Sequence, residues 1–228
     1  TESLNFTVPS ADRKYLVFGK DAGGNEDSHI FVMEVKTKKI LKDSVRGWKQ
    51  NRVSWLQDNS GFYYSAKPLK REVIKGEEHY WDKVYFHKLG TNSSKDEIIF
   101  FHENVKEYYH TAEVSGDGKN VVFYRTVFGK CEVYFKNINS KKIIPIAEGF
   151  DADYDIRIIK NKILIKTDLN APNGKILVTD ISKPGKAYWR KLIPETKDKL
   201  FSFKGIAGNL YLKYIHKAHS KIKIFSFE

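Results

Sequence analysis

Thr111-Ala112-Glu113-Val114-Ser115-Gly116-Asp117-Gly118-Lys119-Asn120-Val121-Val122-Phe123-Tyr124 is the stretch from which the fold follows. Ser115-Gly116-Asp117-Gly118 is turn chemistry: glycine takes positive φ at no steric cost, and aspartate hydrogen-bonds the backbone two residues on. Val121, Val122, Phe123 and Tyr124 are residue types that suit a pleated, buried surface. The stretch predicts a strand, a tight turn and a second strand. Downstream, Glu132–Phe135 and Lys142–Ile146 add two more strand patterns and complete a unit of four.

Similar units lie on both sides. Upstream, strands are predicted over Asn5–Val8, Lys14–Phe18, Ile30–Val35 and Lys39–Leu41, with a polar loop from Asp21 to Ser28. A second unit follows in Arg52–Trp55, Phe62–Ser65, Lys83–Leu89 and Glu97–Phe101, with a polar insertion from Lys67 to Glu78. Downstream come Tyr154–Ile158, Lys162–Thr167, Lys175–Ile181 and Trp189–Ile193, then Leu200–Phe203, Leu210–Tyr214 and Lys221–Phe225, where a fourth strand would be due. The second strands begin near residues 14, 62, 120, 162 and 209, about 42 to 58 residues apart. Four strands per unit at that period is the signature of propeller blades.

Helical periodicity is nearly absent, so the expected fold class is all-β: a β-propeller of about four to five four-stranded blades. The blades are expected over residues 1–50, 51–103, 104–148, 149–194 and 195–228. Each blade must be covered on both flanks, so an incomplete ring is a simpler expectation than a five-bladed closure. Self-association through open blade faces is expected with it. Trp81-Asp82 occurs once and does not recur blade by blade, so a WD-repeat protein is not indicated.

The chain has 228 residues, 41% of them hydrophobic, enough for a proper core. No apolar run approaches the roughly 20 residues of a membrane span. No basic-then-apolar leader is present, and the first residue is Thr1 rather than Met, as expected of a trimmed or excised piece. The single cysteine, Cys131, cannot form an internal disulfide, which favours a reducing, cytoplasmic location. It lacks the neighbouring histidine of an activated nucleophile and reads as a core residue. A net charge of +12 invites a nucleic-acid reading. Only seven of the 40 basic residues are arginine, however, and the lysines are scattered, so no nucleic-acid partner is expected.

Chemistry-bearing motifs are sparse. The sequence contains no G-x-S-x-G, H-E-x-x-H or C-x-x-C. His216 and His219 flank a predicted hairpin turn and read as surface residues rather than a zinc pair. Asp151, Asp153 and Asp155 imitate the start of a calcium loop, but Ile156 and Lys162 stand where that loop needs glycine and glutamate. Ala22-Gly23-Gly24 precedes no helix and reads as a flexible turn, not a phosphate cradle. The sequons Asn5-Phe6-Thr7 and Asn92-Ser93-Ser94 read as chance occurrences. The aromatic and basic residues of Tyr80–His87 read as strand packing rather than a stacking platform for single strands. No catalytic residue, cofactor or metal site is expected within the chain.

The axial channel remains as a functional surface. By alternation along the first strand of each blade, Arg52, Ser54, Glu113, Asp155 and Arg157 are its candidate lining. The competing reading is that they satisfy backbone groups between blades.

Several runs carry a family resemblance. Phe150-Asp151-Ala152-Asp153-Tyr154-Asp155 with Lys166–Pro172, Trp189–Asp198, His87-Lys88-Leu89-Gly90-Thr91, and Val53-Ser54-Trp55 with Asp58–Ser65 together resemble the propeller of the prolyl oligopeptidase family. The related oligopeptidase B group shares the Leu-Gly-Thr and Leu-Ile-Pro elements. The resemblance runs in order over nearly the whole chain. It implies a two-domain serine endopeptidase that cleaves short peptides after proline. A seven-bladed propeller would cover an α/β-hydrolase domain and exclude folded proteins. Residues 1–228 would be roughly the first two-thirds of that propeller, with the hydrolase domain outside the segment. The implied partners are short peptides and the protein's own hydrolase domain. A free-standing propeller scaffold and a polyanion binder are the rival readings. A reading frame continuing into a G-x-S-x-G segment, or salt-dependent DNA affinity, would tell them apart.

Overall fold

The computed structural model describes residues 2–22, 27–48 and 52–227. They form 19 strands and three short 3₁₀ turns in five antiparallel sheets, none closed on itself. Sheet 1 holds β1 (Glu2–Pro9), β2 (Tyr15–Ala22), β3 (Asp27–Glu34) and β4 (Ile40–Trp48). Sheet 2 holds β5 (Ser54–Trp55), β6 (Gly61–Ala66), β7 (Lys83–Lys88) and β8 (Glu97–Phe100). Sheet 3 holds β9 (Tyr109–Val114), β10 (Asn120–Val127), β11 (Lys130–Asn137) and β12 (Ile144–Ala147). Sheet 4 holds β13 (Tyr154–Ile159), β14 (Lys162–Thr167), β15 (Lys175–Asp180) and β16 (Arg190–Ile193). Sheet 5 holds β17 (Lys199–Ile206), β18 (Asn209–His216) and β19 (His219–Ser226). Within every sheet the strands lie in chain order, each beside the next.

The Ser115 turn closes as its residues dictate. Ser115 Oγ donates to Asp117 Oδ1 at 2.6 Å, and that carboxylate accepts the Lys119 N–H at 3.0 Å. Ser115 Oγ also accepts the Asn120 N–H at 3.0 Å, and Gly118 takes φ 70°. The first hairpin repeats this bond for bond. Ser10 Oγ donates to Asp12 Oδ1, Asp12 accepts the Lys14 N–H, and Ser10 Oγ accepts the Tyr15 N–H. There Arg13 occupies the left-handed position, at φ 62°.

The strands differ from the sequence reading mainly at their ends, as three examples show. The loop expected over Asp21–Ser28 is shorter, because Asp21 and Ser28 are themselves paired ladder residues. Their buried side chains are joined, Ser28 Oγ donating to Asp21 Oδ1 at 2.6 Å with Asn5 Nδ2 donating to both, which carries the strands outward. Gly23 and Gly24 lie outside the described residues. β4 runs on to Trp48, paired with β3 through Asp27. Arg52 and Val53 precede β5, which pairs only through Ser54 and Trp55.

The chain divides into two compact units, Thr1–Val114 with Phe123–Val127, and Ser115–Val122 with Phe128–Glu228. In the first, Val17, Ile30, Val32 and Val45 of sheet 1 pack on Val53, Trp55, Phe62, Tyr64 and Ala66 of sheet 2 and its approach. Trp55 contacts Phe62 edge-on at 5.1 Å and donates its indole N–H to the Val8 carbonyl at 3.2 Å. The opposite face of β6 is covered too: Tyr63 meets Phe123 at 6.3 Å, and Phe100 stacks on Phe123 at 5.0 Å. All six residues of β6 are therefore buried. In the second unit, Leu164, Ile176 and Ile193 of sheet 4 pack on Leu200, Phe203, Leu210, Leu212 and Tyr214 of sheet 5.

Two substitution pairs test this packing. A Cβ on Gly61 would lie 2.3 Å from the carbonyl oxygen of His87, whereas one on Gly116 meets nothing within 4 Å. Gly61→Ala is expected to destabilise the fold by about 1–3 kcal/mol, and Gly116→Ala by no more than about 0.5 kcal/mol, in denaturant titration. Arg13→Gly relieves the left-handed conformation that Gly118 occupies freely in the matching turn. It is expected to stabilise by about 1 kcal/mol in the same titration, and Gly118→Arg to do the reverse.

Candidate functional site

The five inner-strand candidates fall into two groups. In the first unit, Arg52 is exposed just ahead of β5, and Ser54 and Glu113 are half-buried on β5 and β9. Ser54 Oγ accepts the Val114 N–H at 2.9 Å, so this hydroxyl joins sheet 2 to β9. In the second unit, Asp155 and Arg157 are neighbours on one face of β13 and form an ion pair at 2.8 Å, each about 30% exposed. Arg157 also donates to the Ile156 carbonyl at 2.7 Å. The structure thus brings Asp155 and Arg157 together as a half-buried ion pair on β13.

Sequence reasoning missed a cleft of about 700 Å³ beside the polar insertion. Ile74, Trp81, Tyr85 and Phe101 supply its apolar walls, with Glu72, Glu77 and Glu103 around them. Glu77 ties the insertion to the residues around it. Glu77 accepts from Lys106 Nζ at 2.6 Å and from the Trp81 indole N–H at 2.8 Å, while the Trp81 backbone N–H donates to the Lys106 carbonyl at 3.1 Å. The Lys106 hydrogen bond is the main cause of a lowered Glu77 pKa. The signal available in sequence was the length of the Lys67–Glu78 insertion between two strands that pair directly.

Groups that could serve catalysis are occupied structurally. His110 is buried, and Asp82 accepts from both its backbone N–H at 2.9 Å and its Nδ1 at 3.1 Å. Its Nε2 has no hydrogen-bond partner, and Ser65 Oγ donates to the His110 carbonyl rather than to the ring. Burial pushes the Cys131 thiol up to about 12; the Tyr154 N–H, which the sulfur accepts at 3.3 Å, opposes that rise, and nearby Asp153 adds to it. Such a thiol is protonated at neutral pH and does not act as a nucleophile.

The calcium-like aspartates have separate tasks. Asp151 accepts from the Tyr154 hydroxyl at 2.6 Å and pairs with Lys186 at 2.7 Å. The Asp153 N–H donates to Asp168, and Asp155 pairs with Arg157. His216 and His219 flank the β18–β19 turn as expected, and His216 Nδ1 lies 2.7 Å from Asp198. Asn5 of the first sequon points inward to Asp21 and Ser28.

Comparison with known proteins places this geometry. Residues 2–228 match the family described as the prolyl oligopeptidase N-terminal beta-propeller domain. The chain is 33% identical over 215 residues to a prolyl endopeptidase of Elizabethkingia meningoseptica, covering 91% of this chain and 30% of that protein. It is 25% identical over 247 residues to a dual function macrocyclase-peptidase of Galerina marginata, covering 96% of this chain and 32% of that one. Among solved structures it superposes with TM-score 0.92 and 26% identity on a chain from a study of two prolyl endopeptidases and their inter-domain dynamics, covering 99% of this chain and 34% of that one. Oligopeptidase B from Leishmania major shares the fold, with TM-score 0.80 and 17% identity over 99% of this chain and 31% of that one. The chain therefore spans about 30% of the length of the curated relatives it matches. With its sheets, their order and its sequence in agreement, the chain belongs to the prolyl oligopeptidase N-terminal β-propeller family.

Proposed function

We propose that this chain is the substrate-gating propeller portion of a prolyl oligopeptidase-like serine endopeptidase that cleaves short peptides after proline. The observation that carries the reading is the unbroken family match over residues 2–228, on a chain with no G-x-S-x-G nucleophile turn. In this division of labour the propeller filters substrates by size. An α/β-hydrolase domain of the same protein supplies the activated serine, the histidine base and the oxyanion hole. The buried, carboxylate-bound His110 and the raised thiol of Cys131 support a non-catalytic role for the portion itself.

Arg52, Ser54, Glu113, Asp155 and Arg157 are proposed to line the path that peptides follow. Arg52 is exposed, Glu113, Asp155 and Arg157 are half-buried charged members, and Ser54 acts as a joint through its hydrogen bond to Val114. Charges fixed along a narrow path focus the field and discriminate among charged ligands.

The chain alone is expected to give no turnover of a chromogenic proline-containing peptide above the uncatalysed rate. The whole protein containing it is expected to cleave short peptides after proline and to leave folded proteins intact. Turnover by the chain alone would overturn the division of labour, and cleavage of folded proteins would overturn the gate. In the whole protein, Arg157→Glu is expected to lower kcat/KM for acidic peptides relative to neutral ones by about tenfold at low ionic strength, fading with salt.

A further inference from the structure

Within the first unit, three ionisable side chains meet away from water. His87 on β7 is fully buried. Its Nδ1 lies 2.8 Å from Asp96 Oδ1 and 3.1 Å from Asp96 Oδ2, and its Nε2 lies 3.1 Å from Asp43 Oδ1. The carboxylates are almost as enclosed, at 5% and 2% side-chain exposure for Asp43 and Asp96. Asp43 belongs to β4 of sheet 1, and Asp96 to the turn before β8 of sheet 2. The imidazole therefore bridges two sheets.

The groups facing this row come from every element around it. Asp43 projects from β4 and also accepts the Gly90 N–H from the turn after β7. Asp96 also accepts the Tyr64 hydroxyl from β6 at 2.8 Å. The Phe62 ring, 5.2 Å from the imidazole, supplies an apolar wall.

An ionised carboxylate only accepts hydrogen bonds, and a neutral imidazole has one N–H. A neutral His87 ring would therefore aim a lone pair at one carboxylate, in a site where an unmatched polar contact is costly. The imidazolium has two N–H groups and matches both. Burial pulls the ring toward its neutral form, but hydrogen bonds to Asp96 and Asp43, together with their charges, outweigh it and raise the His87 pKa above its ordinary value.

We propose that Asp43, His87 and Asp96 form a proton-dependent clasp between the first two sheets, closed while the ring carries two protons and loosened when one leaves. The sign follows from linkage. A histidine whose pKa is higher folded than unfolded contributes fully below the unfolded value, about 6.5, and the contribution is lost as pH rises through the folded value. The clasp therefore loosens on the alkaline side. Val45, Trp55 and Phe62 stay packed nearby, so the sheets part locally at β4 and the Gly90 turn rather than unfolding.

Imidazole nitrogen NMR of the 228-residue chain across neutral to alkaline pH tests this. Both His87 nitrogens are expected to remain protonated above about pH 6.5, the ordinary histidine value. Protection of the Gly90 amide against hydrogen exchange is expected to fall as His87 loses its proton. Asp43→Asn is expected to lower the His87 midpoint by about 1–3 pH units and to carry the loss of Gly90 protection down with it. A His87 ring that titrates at or below the ordinary histidine value, or that is neutral throughout, overturns the clasp. So does Gly90 protection that ignores the state of the ring. The wild-type spectrum decides the protonation state whether or not Asp43→Asn folds.

Discussion

No sheet of this chain can cover itself. A half-buried strand shows one apolar and one polar face, but β6 is buried at every position, with Phe62 and Tyr64 on one side and Tyr63 on the other. β14 likewise buries Ile163, Leu164 and Ile165 in succession. Residues of that kind must be met from both sides, and stacking one sheet on the next is how a chain of short meanders meets them. The single-residue clearances follow from the same requirement, most sharply where Gly61 lets β6 close against the carbonyl of His87.

Much of the fold was legible because its signals are local. Alternating apolar residues and turn chemistry located every strand, and the Ser-x-Asp pattern at Ser10 and Ser115 encodes its hydrogen bonds within five residues. Strand ends were less legible. The reach of β2 and β3 depends on Asn5, Asp21 and Ser28, which meet only after three strands have paired. The site was harder still. Alternation placed Asp155 and Arg157 on one face, where they pair, but could not show that Ser54 holds the backbone of Val114, 60 residues away. Asp43 and His87 are 44 residues apart, and no local period connects them.

The lysines illustrate how composition can mislead. Several hold their ammonium groups over aromatic rings: Lys83 over Phe101 at 4.8 Å, Lys213 over Phe201 at 4.9 Å and Lys223 over Tyr214 at 4.8 Å. A cation held over a ring face is attracted by the ring's electron density and covers its apolar surface. Part of the positive charge thus has a packing use that a net total conceals.

Cys131 gives the second unit a built-in reporter. The sulfur is enclosed where β11 meets the segment leading into β13, and the Cys131 N–H donates to the Ala152 carbonyl at 3.1 Å. Alkylation needs a thiolate that a reagent can reach, and the folded state withholds both conditions. Each modified molecule therefore records one opening of that seam. With a single cysteine in the chain, the record is one mass increment per molecule, so labelling over time counts the seam's excursions without an introduced probe.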